Sequence, residues 1–441
     1  MKFINTLKDI FKIEELKNKI LLTIGLIAVY RFMAAVPLPG IDPLQLSALK
    51  ESTSGGLLGL LNAFTGGAFA RASVMALGIM PYISASIVVQ LMGIAVPYLQ
   101  KLQKDGESGR KKITQITRWL TIGITLVQAP TYITAIKTQF NLPPEAFLVS
   151  GITFWISSII ILTAGTIFAM WLGERITDKG IGNGISLLIT VGIIANFPAA
   201  FLQEFVSKTE NAGAGGLMMV LIEIIVWFVV ILLTVLLVTA VRKIAVQYAR
   251  RTVAGSTQNV AGSRDYIPLK LNAAGVMPII FAQAIMFLPL ALGQKFPILV
   301  GLTDPNGWQY NVIFALLIII FSYFYTAITI PTNKMAEDLK RSGGFIPGIR
   351  PGKDTADRLD SVLSRITFPG SLFLAGLSIL PAIVVQFGVQ QGWSMFYGGT
   401  SLIIMVGVAI DTIQQINSYL LNNHYDGLMK PGNSNRKSNK Q

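Results

Sequence analysis

The sequence has no cysteine and a single histidine, His424. Disulfides, thiolate metal sites and cysteine nucleophiles are therefore excluded, and one histidine cannot build a metal site alone. Charge is scarce as well. Asp, Glu, Lys and Arg make up 13% of the 441 residues, against roughly 25% in soluble domains. So few charges could not cover the surface of a soluble protein of this size. Disorder is excluded too, because 52% of the residues are hydrophobic and disordered chains are poor in them. A nucleotide-binding P-loop is missing: Gly352-Lys353 is followed by Asp354, and Pro347 stands where the motif needs glycine. No catalytic dyad or triad is visible. The chain is read as a non-enzyme with no cofactor and no metal.

What charge there is leans strongly one way, with 36 Lys and Arg against 22 Asp and Glu and a net charge of +14. A spanning helix needs about 20 mostly apolar residues. Ten stretches qualify, at 19–37, 72–97, 119–138, 151–172, 184–203, 216–240, 271–293, 309–331, 367–388 and 398–420. If the N-terminus is cytoplasmic and the spans alternate, nearly all basic residues fall on the cytoplasmic side. The exceptions are Lys50, Lys137, Lys208 and Lys295, with Arg31 and Arg71 in or near the membrane. Lys and Arg retention in cytoplasmic loops sets topology, so this split predicts ten spans with both termini cytoplasmic. Residues 1–18, MKFINTLKDIFKIEELKN, read as an amphipathic helix on the membrane face, and 421–441 as a basic cytoplasmic tail.

The polar, glycine-bearing stretch 204–215 reads as an outer linker between five spans on each side, 19–203 and 216–420. Five is odd, so the second half enters the membrane from the opposite face. If the halves share a fold they form an inverted repeat around a central seam; ten spans without a repeat would satisfy the same pattern. The expected fold is an all-α polytopic membrane protein.

One apolar stretch is too short to cross. Residues 55–70, GGLLGLLNAFTGGAFA, contain five glycines and end at Arg71. A non-spanning segment at membrane depth needs protein or a water-filled cavity around it, which predicts a re-entrant half-helix; the alternative is a helix lying flat on the outer leaflet. Ionisable residues within spans mark ion and proton pathways, but only Arg31, Glu223 and Asp411 occur, each near a span end from which it could snorkel. That weakens pump and ion-coupled transporter readings. The spans offer instead prolines with aliphatic neighbours, Ile79-Met80-Pro81-Tyr82-Ile83 and Met277-Pro278-Ile279-Ile280, read as kinks. Ile79 and Ile83 share a helical face, as do Ile185 and Ile189, and taken pairwise this is the ordinary pattern of a packed helix. Ser84, Gln90, Gln128 and Gln283 are candidates for hydrogen bonds between spans. Two cytoplasmic loops are long and basic, 241–270 and 332–366. The second frames Arg350 with Gly-Gly and Pro-Gly turns, a shape that topology alone does not require, and suggests docking to something acidic.

Three stretches carry a resemblance to a known family: FTGGAFARASVMALGIMPYISASIVVQLM (64–92), WLGERITDKGIGNGISLLI (171–189) and PTNKMAEDLKRSGGFIPGIRPGKDTADRLD (331–360). In these the chain resembles the SecY family, the central subunits of the bacterial protein-translocation channel, and the similarity runs from the first span through His424. The resemblance implies an hourglass channel for unfolded polypeptides bearing signal sequences. It implies a pore ring of Ile79, Ile83, Ile185, Ile189, Ile280 and Ile404, and a plug over 57–70 with Leu60, Leu61, Asn62, Phe64, Gly66 and Gly67. It implies a lateral gate between the second and third spans and the seventh and eighth, with Ser84 and Leu288 at gate positions and Gln90, Gln128 and Gln283 on the same spans. It places Arg350 at the docking surface for the SecA motor or a ribosome, with Lys340, Arg341, Arg250 and Arg251 beside it. Partner subunits SecE and SecG and a place in the bacterial inner membrane follow from the same resemblance. One departure stands out: the loop tip 254–260, AGSTQNV, is uncharged, where many members carry further basic residues.

Overall fold

The computed structural model describes residues 13–46, 62, 64–138, 146–149, 151–210, 216–248, 264–292 and 306–429. Within these, Leu44, Ile94, Lys104, Arg264, Ala284, 287–292 and 422–429 are described by their backbone alone. Thirteen helices are described, in this order: α1 (Glu14–Ala35), α2 (Met80–Ala95), α3 (Pro97–Lys104), α4 (Gly106–Thr138), α5 (Ile152–Lys179), α6 (Gly184–Glu210), α7 (Gly216–Thr239), α8 (Met277–Leu292), α9 (Trp308–Thr329), α10 (Thr332–Arg341), α11 (Lys353–Gln386), the single turn α12 (Gln391–Ser394) and α13 (Gly399–Met429). Eight of the described helices are long and apolar enough to cross a membrane, or nine if α2 and α3, which meet at a 101° bend, make one span. The remaining expected span corresponds to α8, described over 16 residues. The chain is a multi-pass membrane protein.

The two halves have separate cores. In the first, Phe69, Tyr132, Ile136, Phe154 and Leu162 pack together, and Tyr30, Met75, Leu172 and Leu188 form a second cluster beside them. In the second, α7, α8, α9, α11 and α13 share a core that includes Val230, Ile279, Phe314, Leu374 and Leu402. A further cluster joins the halves. It runs from Phe64 and α6 to Val384, Trp393, Phe396, Tyr397 and Ile404. Its first-half wall is a stripe on α6, where Ile185, Ile189, Ile193, Phe197 and Phe201 recur every fourth residue on one face.

Several sequence expectations shift. Helix α1 starts at Glu14, so residues 14–18 are continuous with the first span rather than a separate surface helix. The second span does not start as a helix at 72. Residues 65–79 are a train of turns, with left-handed backbone at Ala72 (φ 45°) and Gly78 (φ 53°), and the helix begins only at Met80. Pro81 and Pro278 sit in the first turns of α2 and α8. There proline's missing N–H costs no helical bond, so these prolines start helices rather than kink them. Helix α6 runs to Glu210, well into the stretch read as a linker.

The largest departure from an all-helical reading is on the basic face. The two long loops fold together: β1 (Val241–Tyr248) pairs antiparallel with β2 (Arg264–Lys270) on one side and with the short β3 (Gly344–Phe345) on the other. Val246, Leu339, Ile346 and Leu359 are buried beneath this sheet, with Ile244, Tyr248, Ile267 and Ile349 packed against them.

Candidate functional site

The structure gathers most of the expected pore residues around the plug. Phe64 is buried in the joining cluster with Ile189 and Ile404, and Ile83 and Ile185 pack against the same cluster. Ile79 is buried next door, in the cluster that Ile83 and Ile185 also touch. Those two isoleucines therefore bridge the first-half core and the joining cluster. Ile280 is half-buried on α8 and donates its N–H to the carbonyl of Val276 (3.3 Å), and Val276 packs on the joining cluster. The aliphatic residues line no polar or charged site. Together with Phe64, Ile83, Ile185, Ile189 and Ile404 make one contiguous apolar cluster, with Ile79 in the neighbouring one.

The described part of the plug is held by its own turns and by its neighbours. Asn62 caps the turn twice: its carbonyl accepts from Gly67 N–H (2.8 Å) and its Oδ1 from Ala70 N–H (3.0 Å). Thr65 Oγ1 accepts from Phe69 N–H, and Tyr132 OH donates to the Phe69 carbonyl (2.8 Å). Residues 36–38 pair with 72–74, Leu38 N–H to Ala72 O at 2.8 Å and Val74 N–H to Val36 O at 3.0 Å, which ties the segment just after the expected plug to the segment just after α1. Gly66 and Gly67 both have left-handed backbone (φ 66° and 85°), which suits glycine. A Cβ on Gly66 would also stand 2.9 Å from the Cα of Gly192 on α6. The glycines therefore let the plug backbone lie directly against α6. Leu60 and Leu61 lie outside the described residues.

The expected gate residues do not converge on one contact. Gln90 is exposed on α2 and donates to Ser86 of its own helix. With Leu91 and Gln103 it lines a cavity of about 90 Å³ whose other wall is Phe281, Phe324, Tyr325, Ile328 and Thr329 from α8 and α9. That cavity lies on the seam between the halves. Gln283 instead lines a cavity of about 80 Å³ within the second half, with Tyr310, Asn311, Ser378 and Thr400. Ser84 is half-buried on α2, and Gln128 is half-buried on α4, which packs against α2. Leu288 is described only by its backbone in α8.

On the basic face the sheet explains the shape of the Arg350 loop. Ile346 is buried under β1 and Ile349 packs beside it, while Gly343, Gly348 and Gly352 take left-handed turns (φ 72°, 80° and 112°). The Arg350 carbonyl accepts from Thr355 Oγ1 (2.9 Å) at the start of α11. Arg350, Lys340 and Arg341 are all exposed around this anchored loop. Arg250 and Arg251 lie outside the described residues.

Sequence reasoning missed a charged cluster where α6 meets α7. Glu204, Lys208 and Glu223 are 1%, 9% and 8% exposed. Lys208 Nζ lies 3.7 Å from Glu204 Oε1 and 3.5 Å from Glu223 Oε1, and donates to the carbonyl of Gly388 (2.8 Å). Glu204 Oε2 accepts from Gln390 N–H (2.8 Å) and Tyr397 OH donates to the Glu223 carbonyl (2.8 Å). Glu223 therefore does not snorkel but pairs inside the protein, whereas Asp411 is exposed. The i, i+4 spacing of Glu204 and Lys208 was the available signal; assigning both to a linker concealed it. Next to this cluster, Phe197 and Phe201 of α6 stack on each other and pack, tilted or edge-on, against Trp227 of α7, Trp393 and Phe396 at centroid distances of 5.2–6.4 Å, and Trp227 Nε1 donates to the Phe396 carbonyl (2.9 Å).

The SecY family model matches residues 73–413. Among curated proteins, the protein translocase subunit SecY of Streptomyces scabiei is 38% identical over 436 residues, covering 95% of this chain and 98% of its own. That of Bacillus subtilis (strain 168) is 39% identical over 444 residues, covering 96% and 99%. Three solved structures share the fold. One is described as a protein-conducting channel (TM-score 0.61, 18% identity, 94% of each chain). Another comes from work on the SecY plug domain in the closed state of the translocation channel (TM-score 0.64, 19% identity, 94% of each chain). The third is Sec61 in a canine ribosome–channel complex (TM-score 0.57, 18% identity, 94% of each chain). The chain belongs to the SecY family.

Proposed function

We propose that this chain is the pore-forming subunit of a protein-conducting channel in the bacterial cytoplasmic membrane. Unfolded secretory polypeptide passes between its two halves, and hydrophobic segments leave sideways through the seam between α2 and the α8–α9 pair. Ile79, Ile83, Ile185, Ile189, Ile280 and Ile404 form the constriction, and residues 57–70 form the seal. The observation that carries this reading is the burial of Phe64 against Ile189 and Ile404, because it seats the short apolar segment on the collar itself. A collar of aliphatic side chains can close around chains of any sequence without binding one, which suits a varied cargo. Energy then comes from a partner. The sheet-anchored Arg350 loop, with Lys340 and Arg341, offers that partner a rigid basic surface on the cytoplasmic face, for SecA or a ribosome. SecE and SecG complete the assembly, and the chain itself performs no catalysis.

Deleting residues 60–68 from the channel tests the seal. Planar-bilayer recordings of the reconstituted complex are expected to show a clear rise in resting ion conductance. Conductance equal to that of the intact channel would remove the plug assignment.

A further inference from the structure

Arg31 is a half-buried arginine four residues from the end of α1. A charged side chain in a spanning helix is costly unless it is paired or reaches water, so its contacts matter. Its Nη1 donates to the carbonyl of Gly66 (3.0 Å). A Cβ on Gly66 would run into the same guanidinium. The guanidinium therefore lies against the face of the glycine turn where a side chain would otherwise be. On the next residue, a Cβ on Gly67 would meet Arg71 Nη2 and Asn196 Oδ1, each at 3.4 Å. The plug turn is bonded by Arg31 of α1 and flanked by the backbone of α6 at Gly192 and by the Arg71 and Asn196 side chains.

We infer that Arg31 is a latch for the plug, a positioning residue whose guanidinium holds the Gly66–Gly67 turn on α6 when the channel is at rest. The inference rests on the plug reading above and adds the residue that sets how firmly the plug sits. A hydrogen bond from a charged donor to a carbonyl is worth more than a neutral one, and arginine's planar fork keeps donors in reach with little loss of freedom. When the plug leaves, the guanidinium is returned to water in the opened channel, so the bond can break without stranding a buried charge. The latch is thus strong enough to bias the resting state and weak enough to release.

The test uses the whole reconstituted complex and four channels: intact, Arg31→Gln, the 60–68 deletion, and Arg31→Gln within the deletion. Arg31→Gln is expected to raise the unseated fraction about tenfold or more, moving resting conductance toward that of the deletion channel. Arg31→Lys, which keeps the charge and a donor, should lie between Arg31→Gln and the intact protein, and it serves alone if the glutamine variant fails to assemble. Within the deletion, Arg31→Gln should add nothing, because no plug remains to be held. If the deletion leaks while neither Arg31 variant does, the latch is overturned and the plug reading stands. An equal further rise within the deletion would also overturn it, since Arg31 would then act on the helix bundle. A deletion that does not leak removes the plug reading instead.

Discussion

The two halves of this molecule meet along two seams built from different chemistry. At one, α6 meets α7 and the 388–397 segment through a buried lysine between two carboxylates and a group of aromatic rings packed in tilted and edge-to-face pairs. At the other, α2 faces α8 and α9 across a cavity of about 90 Å³, and Gln90 spends its amide on its own helix. Buried ion pairs tie elements together strongly once formed, because breaking one strands a charge. A cavity lined by separate side chains offers no such tie, since it lacks partner atoms across the gap. The difference suggests which seam is the axis and which can part. Phe64, Ile189 and Ile404 belong to the cluster that joins the halves, so in the proposed channel parting the second seam about the first would open that cluster.

Substitutions on the two seams should therefore differ sharply in cost. The largest effect is expected from Lys208→Met, which leaves Glu204 and Glu223 buried without their cation. Loss of one partner of a buried pair costs about 3–5 kcal/mol, read as a fall in the thermal midpoint of the purified complex. The triple replacement Glu204→Gln, Lys208→Met, Glu223→Gln should recover part of that loss, because no uncompensated charge remains. Equal losses for the single and triple variants would show that the cluster does not act through charge. At the other extreme, Gln90→Ala and Thr329→Ala should each change stability by no more than about 0.5 kcal/mol in the same melting experiment. A loss near that of Lys208→Met would mean the second seam is tied as firmly as the first.

Much of this was legible in the sequence, for definable reasons. The spans follow from apolar runs, and Phe64, Ile83, Ile185, Ile189 and Ile404, named by the resemblance, lie in or against one cluster. Three features were hidden because they depend on pairing across long separations. The basic-face sheet needs residues 241–248 beside 344–345, although Ile244, Val246 and Tyr248 alternate with the period of a strand and all reach the small core beneath it. The Lys208 cluster needs α6 to continue past 203 and α7 to return beside it. Arg31 read as a residue that could reach the membrane surface, and only the fold brings Gly66 within its reach. Gln283, whose polar type suggested a hydrogen bond between spans, lines a cavity within the second half.

The central claim is that the α2/α8–α9 seam must part while the α6/α7 seam holds. Cysteines at Gln90 and Thr329, which line the same cavity from opposite halves, test this most directly, and the absence of native cysteine removes background. A short, reducible thiol crosslinker bridging the pair should stop transport of a signal-bearing polypeptide into vesicles, and reduction should restore it. Complete crosslinking with transport undiminished would contradict the account.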